Sequence, residues 1–524
     1  MSPMRFLGFR LIILAAFLGG AHNILPKSNK APYELAHAIL PYQGRDYSFG
    51  KARYVLIVSI DGVSYPLLKY AFNQGFYLPN LRKLVRRGFF RPMQTVLPSM
   101  TWPSHASMVT GQYPATHGIL GNRWLKNRKE SFYPFQVKSM VEYERKTPSL
   151  FYLTKIRGWK SAALNWPNTQ GSRLPYYNFP ELMHARNLNA KLVSKPLKRI
   201  IAGMYWRYFK GNRHPSRSYK QSGKTDEFLN RIALKERVEI DMMVRDMSER
   251  LIHPGKGVYW PKRKIPRLIA AHFLITDSWH HAYGTNPMAT RWGLELVDSF
   301  LGRIMAAYER AGVANQTAIL IGSDHGFVNS SHKLDLRVFL KRHRYLEVKR
   351  RADQVTYINN GHTAFLYFNK KSPPDVKRLV KTLRGSPAVR RCLQGIYEPA
   401  EFAKMGLPVP SETPDAPDLL LVNRPFCYFT TTVNRRTLTR LRNGSYQIGT
   451  HGYLPNHPEM LSFMIGAGSG IKKSSTRRKA YIVDLATTAA HLMGLRWPRR
   501  FKSGKQFKLD GRVLFDVLKN KKKR

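Results

Sequence analysis

The residue types that could do chemistry lie far apart in the chain but recur in one kind of place. Asp61 closes the apolar run YVLIVSI (54–60), Asp277 closes LIAAHFLIT (268–276), and Asp324-His325 follows the apolar run Ala318 to Ile321. Each run is continuous, apolar and β-rich, as a buried parallel strand is, and catalytic groups in open α/β sheets collect at strand carboxyl ends. His281 comes four residues after Asp277, and His451 sits in the tight turn Gly449-Thr450-His451-Gly452. Thr101 opens TWPSHASMVTGQYPATHGILGN, where a small-residue run reads as the first turns of a helix and a Gly/Pro/His-rich turn ends at Asn122. A hydroxyl at a helix start stands at the positive end of the dipole, near free backbone N–H groups, and suits attack on an anionic phosphoryl group.

Taken alone, Thr101 is an ordinary helix N-cap and an Asp before Gly an ordinary turn residue. Together, three Asp, three His and one Thr form a nitrogen and oxygen ligand set without sulfur. Two divalent metals need about this many ligands if positions are to stay open for substrate and water. Mixed imidazole and carboxylate favour zinc and leave manganese and iron open.

The elements that must hold these residues alternate strand with helix. Residues 64–88 read as an amphipathic helix, 151–156 as a helix, and 160–164 as a strand that runs into Asn165-Trp166-Pro167. After His281, Leu294, Val297, Leu301, Ile304 and Tyr308 recur at helical spacing, and Gly312 stops the helix. LSFMIGAG (461–468) is another apolar strand, and YIVDLATTAAHLMGL a strand-to-helix unit. The pattern predicts an α/β fold with a doubly wound, mostly parallel sheet sandwiched by helices, spanning 22–515. Two segments break it and read as inserted cap regions. One, at about 172–265, is basic and aromatic with a helix at 226–251. The other, at about 330–445, has strand-like INNGHTAFLYF and DLLLV with a helix near 375–385 between them. A basic tail closes the chain at 516–524.

With 524 residues and 43% hydrophobic content the chain can bury a large core. Lys and Arg number 87 against 32 acids, a net charge of 87 − 32 = +55, which speaks about partners and surroundings rather than fold. The basic residues are spread along the length, which favours a diffuse anion-attracting field or adaptation to the exterior over a dedicated nucleic-acid module. Non-specific attraction to nucleic acid or anionic membrane stays open. Arg5 and Arg10 precede an apolar run, Leu11 to Gly20, in the order of a secretory signal peptide over residues 1–21; the run is short for a membrane span. The chain is therefore expected to be exported, periplasmic or secreted, with a retained N-terminal anchor as the other reading. Cys392 and Cys427 have no metal-type spacing; one disulfide and two buried thiols are both open.

IDG at 60–62, TWPSH at 101–105, YPATHGILGN at 113–122, TDSWHHAYG at 276–284, SDHG at 323–326 and THGY at 450–453 together resemble the nucleotide pyrophosphatase/phosphodiesterase family of the alkaline phosphatase superfamily. The resemblance runs from about 52 to 515. It implies an alkaline phosphatase-like fold, with Asp61, Thr101, Asp324 and His325 on one zinc ion and Asp277, His281 and His451 on the other. It also implies Thr101 as nucleophile and Asn122 as a hydrogen-bond donor to the phosphoryl group. The chain departs from the family at Trp102 and Ser104, where Phe and Asn are usual, and at Trp166-Pro167-Asn168-Thr169, where nucleotide-recognising members show WPGS. Trp102 and Tyr177 (or Tyr176) are the candidate clamp for a nucleobase. The expected function is an exported two-metal phosphohydrolase acting on phosphodiester or pyrophosphate bonds of a small anionic substrate, through a phosphothreonine at Thr101. A phosphomonoesterase or phosphonate hydrolase on the same metals is the alternative within enzymes; a non-catalytic polycationic surface protein is the alternative outside them.

Overall fold

The computed structural model describes residues 51–128, 130–132, 143–144, 147–182, 193–198, 226–253, 265–346, 353–430, 436–441, 448–498 and 506–519. The signal-like segment at 1–21 and the last residues, 520–524, lie outside them. Among the described residues no helix is long and apolar enough to cross a membrane.

Eight strands make the central sheet: β1 (Tyr54–Ile60), β2 (Phe89–Gln94), β3 (Ser161–Trp166), β4 (Tyr177–Pro180), β5 (Leu268–Phe273), β6 (Thr317–Gly322), β7 (Ser462–Gly468) and β8 (Ala480–Tyr481). Their order is β8-β2-β7-β6-β1-β5-β3-β4. All pairings are parallel except those of β7, which runs against both β2 and β6. A strand buried on both faces must be apolar throughout, and β1 shows why. Leu56, Val58 and Ile60 point into one core, Val55 and Ile57 into the other. The first core is covered by helices α1 (Tyr65–Asn73), α2 (Pro79–Arg87), α5 (Asp226–Ile252) and α7 (Pro287–Arg310). The second is covered by α3 (Thr101–Thr110), α4 (Leu150–Ile156) and α8 (Val483–Met493). Between α5 and α7 in the chain, α6 (Ile275–Tyr283) follows β5 directly.

Three expectations need correction. The single helix at 64–88 is two, because Gly75 takes φ +69° and Pro79 starts a new helix. The segment at 172–265 is more than a cover: β4 is the edge strand of the sheet, and α5 buries Ile240, Met243, Val244, Met247 and Leu251 in the first core. The loss of periodicity there hid a structural layer. The basic tail also starts later than residue 516. Val517 is buried, Leu518 bridges to Ile471, and Asp516 pairs with the fully buried Arg91 at 3.2 Å.

The second insertion forms a cap with its own sheet, in which Val355–Asn360, Thr363–Phe368, Leu419–Asn423 and Leu393–Tyr397 pair antiparallel. Alternation again sorts its faces. Phe365, Tyr367, Leu420 and Val422 join Trp102, Ile119, Leu120 and Trp124 in a cluster that seats the cap on the Thr101 segment. Ala364, Leu366, Leu419 and Leu421 face the cap's interior. There Cys392 and Cys427 are joined in a disulfide with Cα atoms 5.4 Å apart, settling the open choice. Closing a loop with a sequence separation of 35 restricts the unfolded chain, which by the loop-entropy relation stabilises by about 4 kcal/mol. Cys392→Ser is expected to lower the denaturant midpoint, and an unchanged midpoint in chemical unfolding would refute that.

Candidate active site

Thr101 is the first residue of α3, and the N-cap position belongs to Met100, in an extended conformation. The threonine hydroxyl is therefore not consumed by helix capping. It lies 3.3 Å from His325 Nε2 and is 8% exposed. Asn122 is brought beside it by the turn that follows α3: its Oδ1 accepts the Trp102 backbone N–H at 3.0 Å. That bond spends the amide oxygen, so any bond from Asn122 to a phosphoryl group must come from its NH2. The bend after α3 is fixed by His117, whose Nδ1 accepts the Ile119 N–H and whose Nε2 meets Ser107 Oγ.

The six other expected residues come together in two groups, Asp61 with Asp324 and His325, and Asp277 with His281 and His451; within each, the ligand atoms lie within 4.8 Å of one another. Asp61 and Asp324 stand at the carboxyl ends of β1 and β6. Asp277 does not end a strand as expected: β5 stops at Phe273, and Asp277 and His281 are one turn apart on α6. Spacing of i, i+4 puts both on the same helix face. Rings of His325 and His451, one from each group, stack with centroids 3.8 Å apart, so the two groups form one centre. His281, at the solvent side, is the exposed member.

Each of the three histidines has Nδ1 against a backbone carbonyl: His281 at Gly449 (3.1 Å), His325 at Gly326 (3.2 Å) and His451 at Ser99 (3.2 Å). Donation there fixes the tautomer with the Nε2 lone pair facing inward, as a metal ligand requires. The carboxylates agree. Asp61 Oδ1, Asp277 Oδ1 and Asp324 Oδ2 are buried with no hydrogen-bond partner, while Asp324 Oδ1 is satisfied by the Gly62 and His325 N–H groups. Three buried carboxylate oxygens without partners would be costly unless a cation meets them. Without a cation, burial and then the charges of Asp324 and Asp277 push Asp61 well above its usual range. Burial also opposes ionisation of Asp324, but His325 and His105 beside it hold that carboxyl below its usual range. The donor set, its tautomers and its orphaned oxygens fit divalent metal.

A family model for type I phosphodiesterase / nucleotide pyrophosphatase matches residues 55–454. The chain belongs to this family. Human ectonucleotide pyrophosphatase/phosphodiesterase family member 1 is 23% identical over 281 residues, 53% of this chain and 24% of that protein. A pyrophosphatase/phosphodiesterase of Schizosaccharomyces pombe is 22% identical over 297 residues, 56% of this chain and 49% of its own. The chain thus spans about a quarter and about half of the length of these two relatives. A mouse bis(5'-adenosyl)-triphosphatase is 21% identical over 462 residues, 87% of this chain and 80% of its own. Murine ectonucleotide pyrophosphatase/phosphodiesterase 5, solved alone and as an inactive form with AMP, superposes with a TM-score of 0.57 at 18% identity. Of the structure solved alone, 95% is covered, and 84% of this chain. The fold is accordingly alkaline phosphatase-like.

Several residues that support this phosphodiesterase-family site were not expected from sequence. His272 lies inside β5, fully buried, with Nε2 2.9 Å from Asp61 Oδ2 and Nδ1 3.1 Å from the Asn165 carbonyl. Its one signal was a polar residue within an apolar strand. Asp241, on α5, accepts the Leu274 and Ile275 N–H groups at 2.9–3.1 Å, capping α6 from another helix; nothing local marked it. Because α6 carries Asp277 and His281, Asp241→Ala is expected to cost about 1–2 kcal/mol and to weaken metal binding at that pair. Zinc titration beside thermal unfolding checks both, and wild-type affinity in the variant would disprove the coupling. His280, next to His281 in the chain, is fully buried and ties the Gly62 carbonyl to Thr290.

The expected base clamp is only half present. Trp102 flanks the nucleophile but is 3% exposed and packed in the cap cluster, its indole N–H on Glu181. Tyr177 pairs with Ala162 towards the amino end of β3 and packs in the first core, away from the carboxyl edge where the site lies. Tyr176 is exposed, with Lys160 over its ring. Neither tyrosine faces the site.

Proposed function

We propose that the chain is an exported two-metal phosphohydrolase that cleaves phosphodiester or pyrophosphate bonds through a phosphothreonine at Thr101. The observation that carries this reading is the uncapped Thr101 hydroxyl, 3.3 Å from His325 Nε2, at the junction of two ligand groups whose imidazoles are all turned inward. Asp61, Thr101, Asp324 and His325 would hold one ion, and Asp277, His281 and His451 the other, zinc being best suited to the donors. When bound, the pair supplies Lewis acidity that lowers the hydroxyl's pKa and offsets charge on the oxygens of an in-line displacement. Thr101 Oγ1 then forms the bond to phosphorus as the ester or anhydride oxygen departs. Asn122 donates from its NH2 to a non-bridging oxygen and holds the group in line. Water cleaves the phosphothreonine from the same side as the departed oxygen and returns the hydroxyl.

Nucleotide-type substrates are favoured by the names of relatives such as the mouse bis(5'-adenosyl)-triphosphatase and by the neighbour solved with AMP. Export is supported by the signal-like start and the buried disulfide, a bond of oxidising compartments. The test compares bis(p-nitrophenyl) phosphate, the p-nitrophenyl ester of thymidine monophosphate and p-nitrophenyl phosphate on zinc-restored protein. Preference for the thymidine ester is expected. Preference for the monoester would move the chain to the phosphatases, and failure to bind metal would overturn the catalytic reading.

A further inference from the structure

By the two-residue period of a strand, His272 shares a face of β5 with Leu268 and Ala270, which belong to the second core. On that face its ring is fully buried against the ring of His105 on α3, with centroids 4.3 Å apart. A polar ring so placed is tolerated only where its nitrogens are bonded. Both are: Nδ1 lies 3.1 Å from the Asn165 carbonyl and Nε2 2.9 Å from Asp61 Oδ2. His105 in turn sets its own Nδ1 2.7 Å from the Thr101 carbonyl. The two packed rings thus tie Asp61 and the backbone of the nucleophile to one support.

What matters is how much of each carboxylate remains. His272 takes Asp61 Oδ2, and the Gly62 and His325 N–H groups take Asp324 Oδ1, while Asp61 Oδ1 and Asp324 Oδ2 have no hydrogen-bond partner. The first group therefore presents one atom from each residue: Asp61 Oδ1, Asp324 Oδ2, Thr101 Oγ1 and His325 Nε2. The three oxygens lie 3.6, 3.2 and 3.3 Å from that nitrogen. A tetrahedron with zinc bond lengths of about 2.0 Å has edges of about 3.3 Å. If Oδ2 were released, Asp61 could offer both its oxygens. The added oxygen donor suits ions that take more than four oxygen-rich ligands, manganese among them.

We propose that His272 is a positioning residue that selects the metal at the first position. By holding Asp61 Oδ2 it keeps that carboxylate to one-oxygen ligation, and so favours four-coordinate zinc over manganese. This rests on the two-metal reading above and adds to it the choice of ion. None of these bonds reaches the second group, Asp277 with His281 and His451, which serves as the internal reference.

The experiment titrates chelated wild type, His272→Leu and His272→Gln with zinc and with manganese, and records visible spectra of the cobalt-loaded proteins. In His272→Leu the ratio of zinc to manganese affinity should fall by about tenfold or more at one of the two positions. Cobalt there should exchange the strong visible absorption of a four-coordinate ion for the weaker absorption of a higher coordination number. His272→Gln, whose amide can still donate to Asp61 Oδ2, should keep both readouts nearer to wild type. A ring that merely fills space would lower both affinities alike and leave their ratio unchanged, and that result overturns the proposal. Should the leucine variant fail to fold, His272→Phe, which keeps a ring against His105 but has no donor, reads out the same ratio. Wild type with six-coordinate cobalt at both positions would overturn this inference alone. Wild type that binds no metal would instead refute the two-metal reading, and this inference with it.

Discussion

Thr101→Ala is expected to lower kcat by about three orders of magnitude or more while leaving the protein folded and largely metal-loaded. The size follows from removing the atom that forms the new bond, a change that other residues cannot replace additively. The selectivity follows from the geometry. Met100 rather than Thr101 occupies the N-cap of α3, so the helix loses no capping bond, and Asp61, Asp324 and His325 still surround the first metal position. Thr101→Ser should keep measurable turnover, because a serine hydroxyl in the same place can attack. Quenched-flow detection of phosphorylated protein in wild type, absent in the alanine variant, together with equal zinc content, is the measurement. Near-normal kcat in the alanine variant would mean that water attacks directly, and would sink the phosphothreonine.

The second large effect is metal removal. Chelation is expected to abolish activity and to destabilise the fold increasingly as pH rises. The sign comes from the acids left behind. Asp61 is pushed up by burial and by Asp324 and Asp277; burial likewise raises Asp241 to about 7 and Glu181 to about 8. A carboxyl with a raised pKa in the folded state binds its proton more tightly there than in the unfolded chain. For Asp61 the cost is absent below the unfolded value, about 4, and grows as pH climbs above it; Asp241 and Glu181 carry a like cost in loaded and chelated protein, so the difference between the two comes from Asp61. Metal competes with the proton at Asp61. At a thousandfold excess over its Kd, metal adds about 4 kcal/mol. Calorimetry of loaded and chelated protein near pH 5 and near pH 8 should show a melting gap that widens with pH. A gap that narrows would show that the carboxylates are not what the metal relieves.

These outcomes depend on residues of two kinds, and only one kind was legible in the sequence. Asp61 and Asp324 announce themselves because an apolar strand buried on both faces ends abruptly in a charge. Thr101, Asn122, His281 and His451 sit in short motifs whose order, more than their composition, carried the expectation. The structure brings all of them to one edge of the sheet. Asp241 and Glu181 had no such signature: each acts across a tertiary contact, Asp241 on the start of α6 and Glu181 on the Trp102 indole, and such contacts exist only once the chain is packed. Asp277 lies with His281 and His451, but on a helix and not at a strand end, since LIAAHFLIT is apolar throughout and period alone does not show where strand passes into helix. Tyr177 was misassigned for a related reason: adjacency to the Trp166 turn in sequence says nothing about which end of an edge strand a side chain occupies.

The spread of the centre along the chain bears on the order in which a cell makes it. His451 lies late in the sequence, and β7, which wedges between β6 and β2, comes later still. A growing chain that has already presented Asp61 and Thr101 therefore has neither the second metal position nor a closed sheet until most of its length has been synthesised. On the two-metal reading proposed above, both ligand groups are complete only once His451 has been made, so chains that stop before it are expected to be inert.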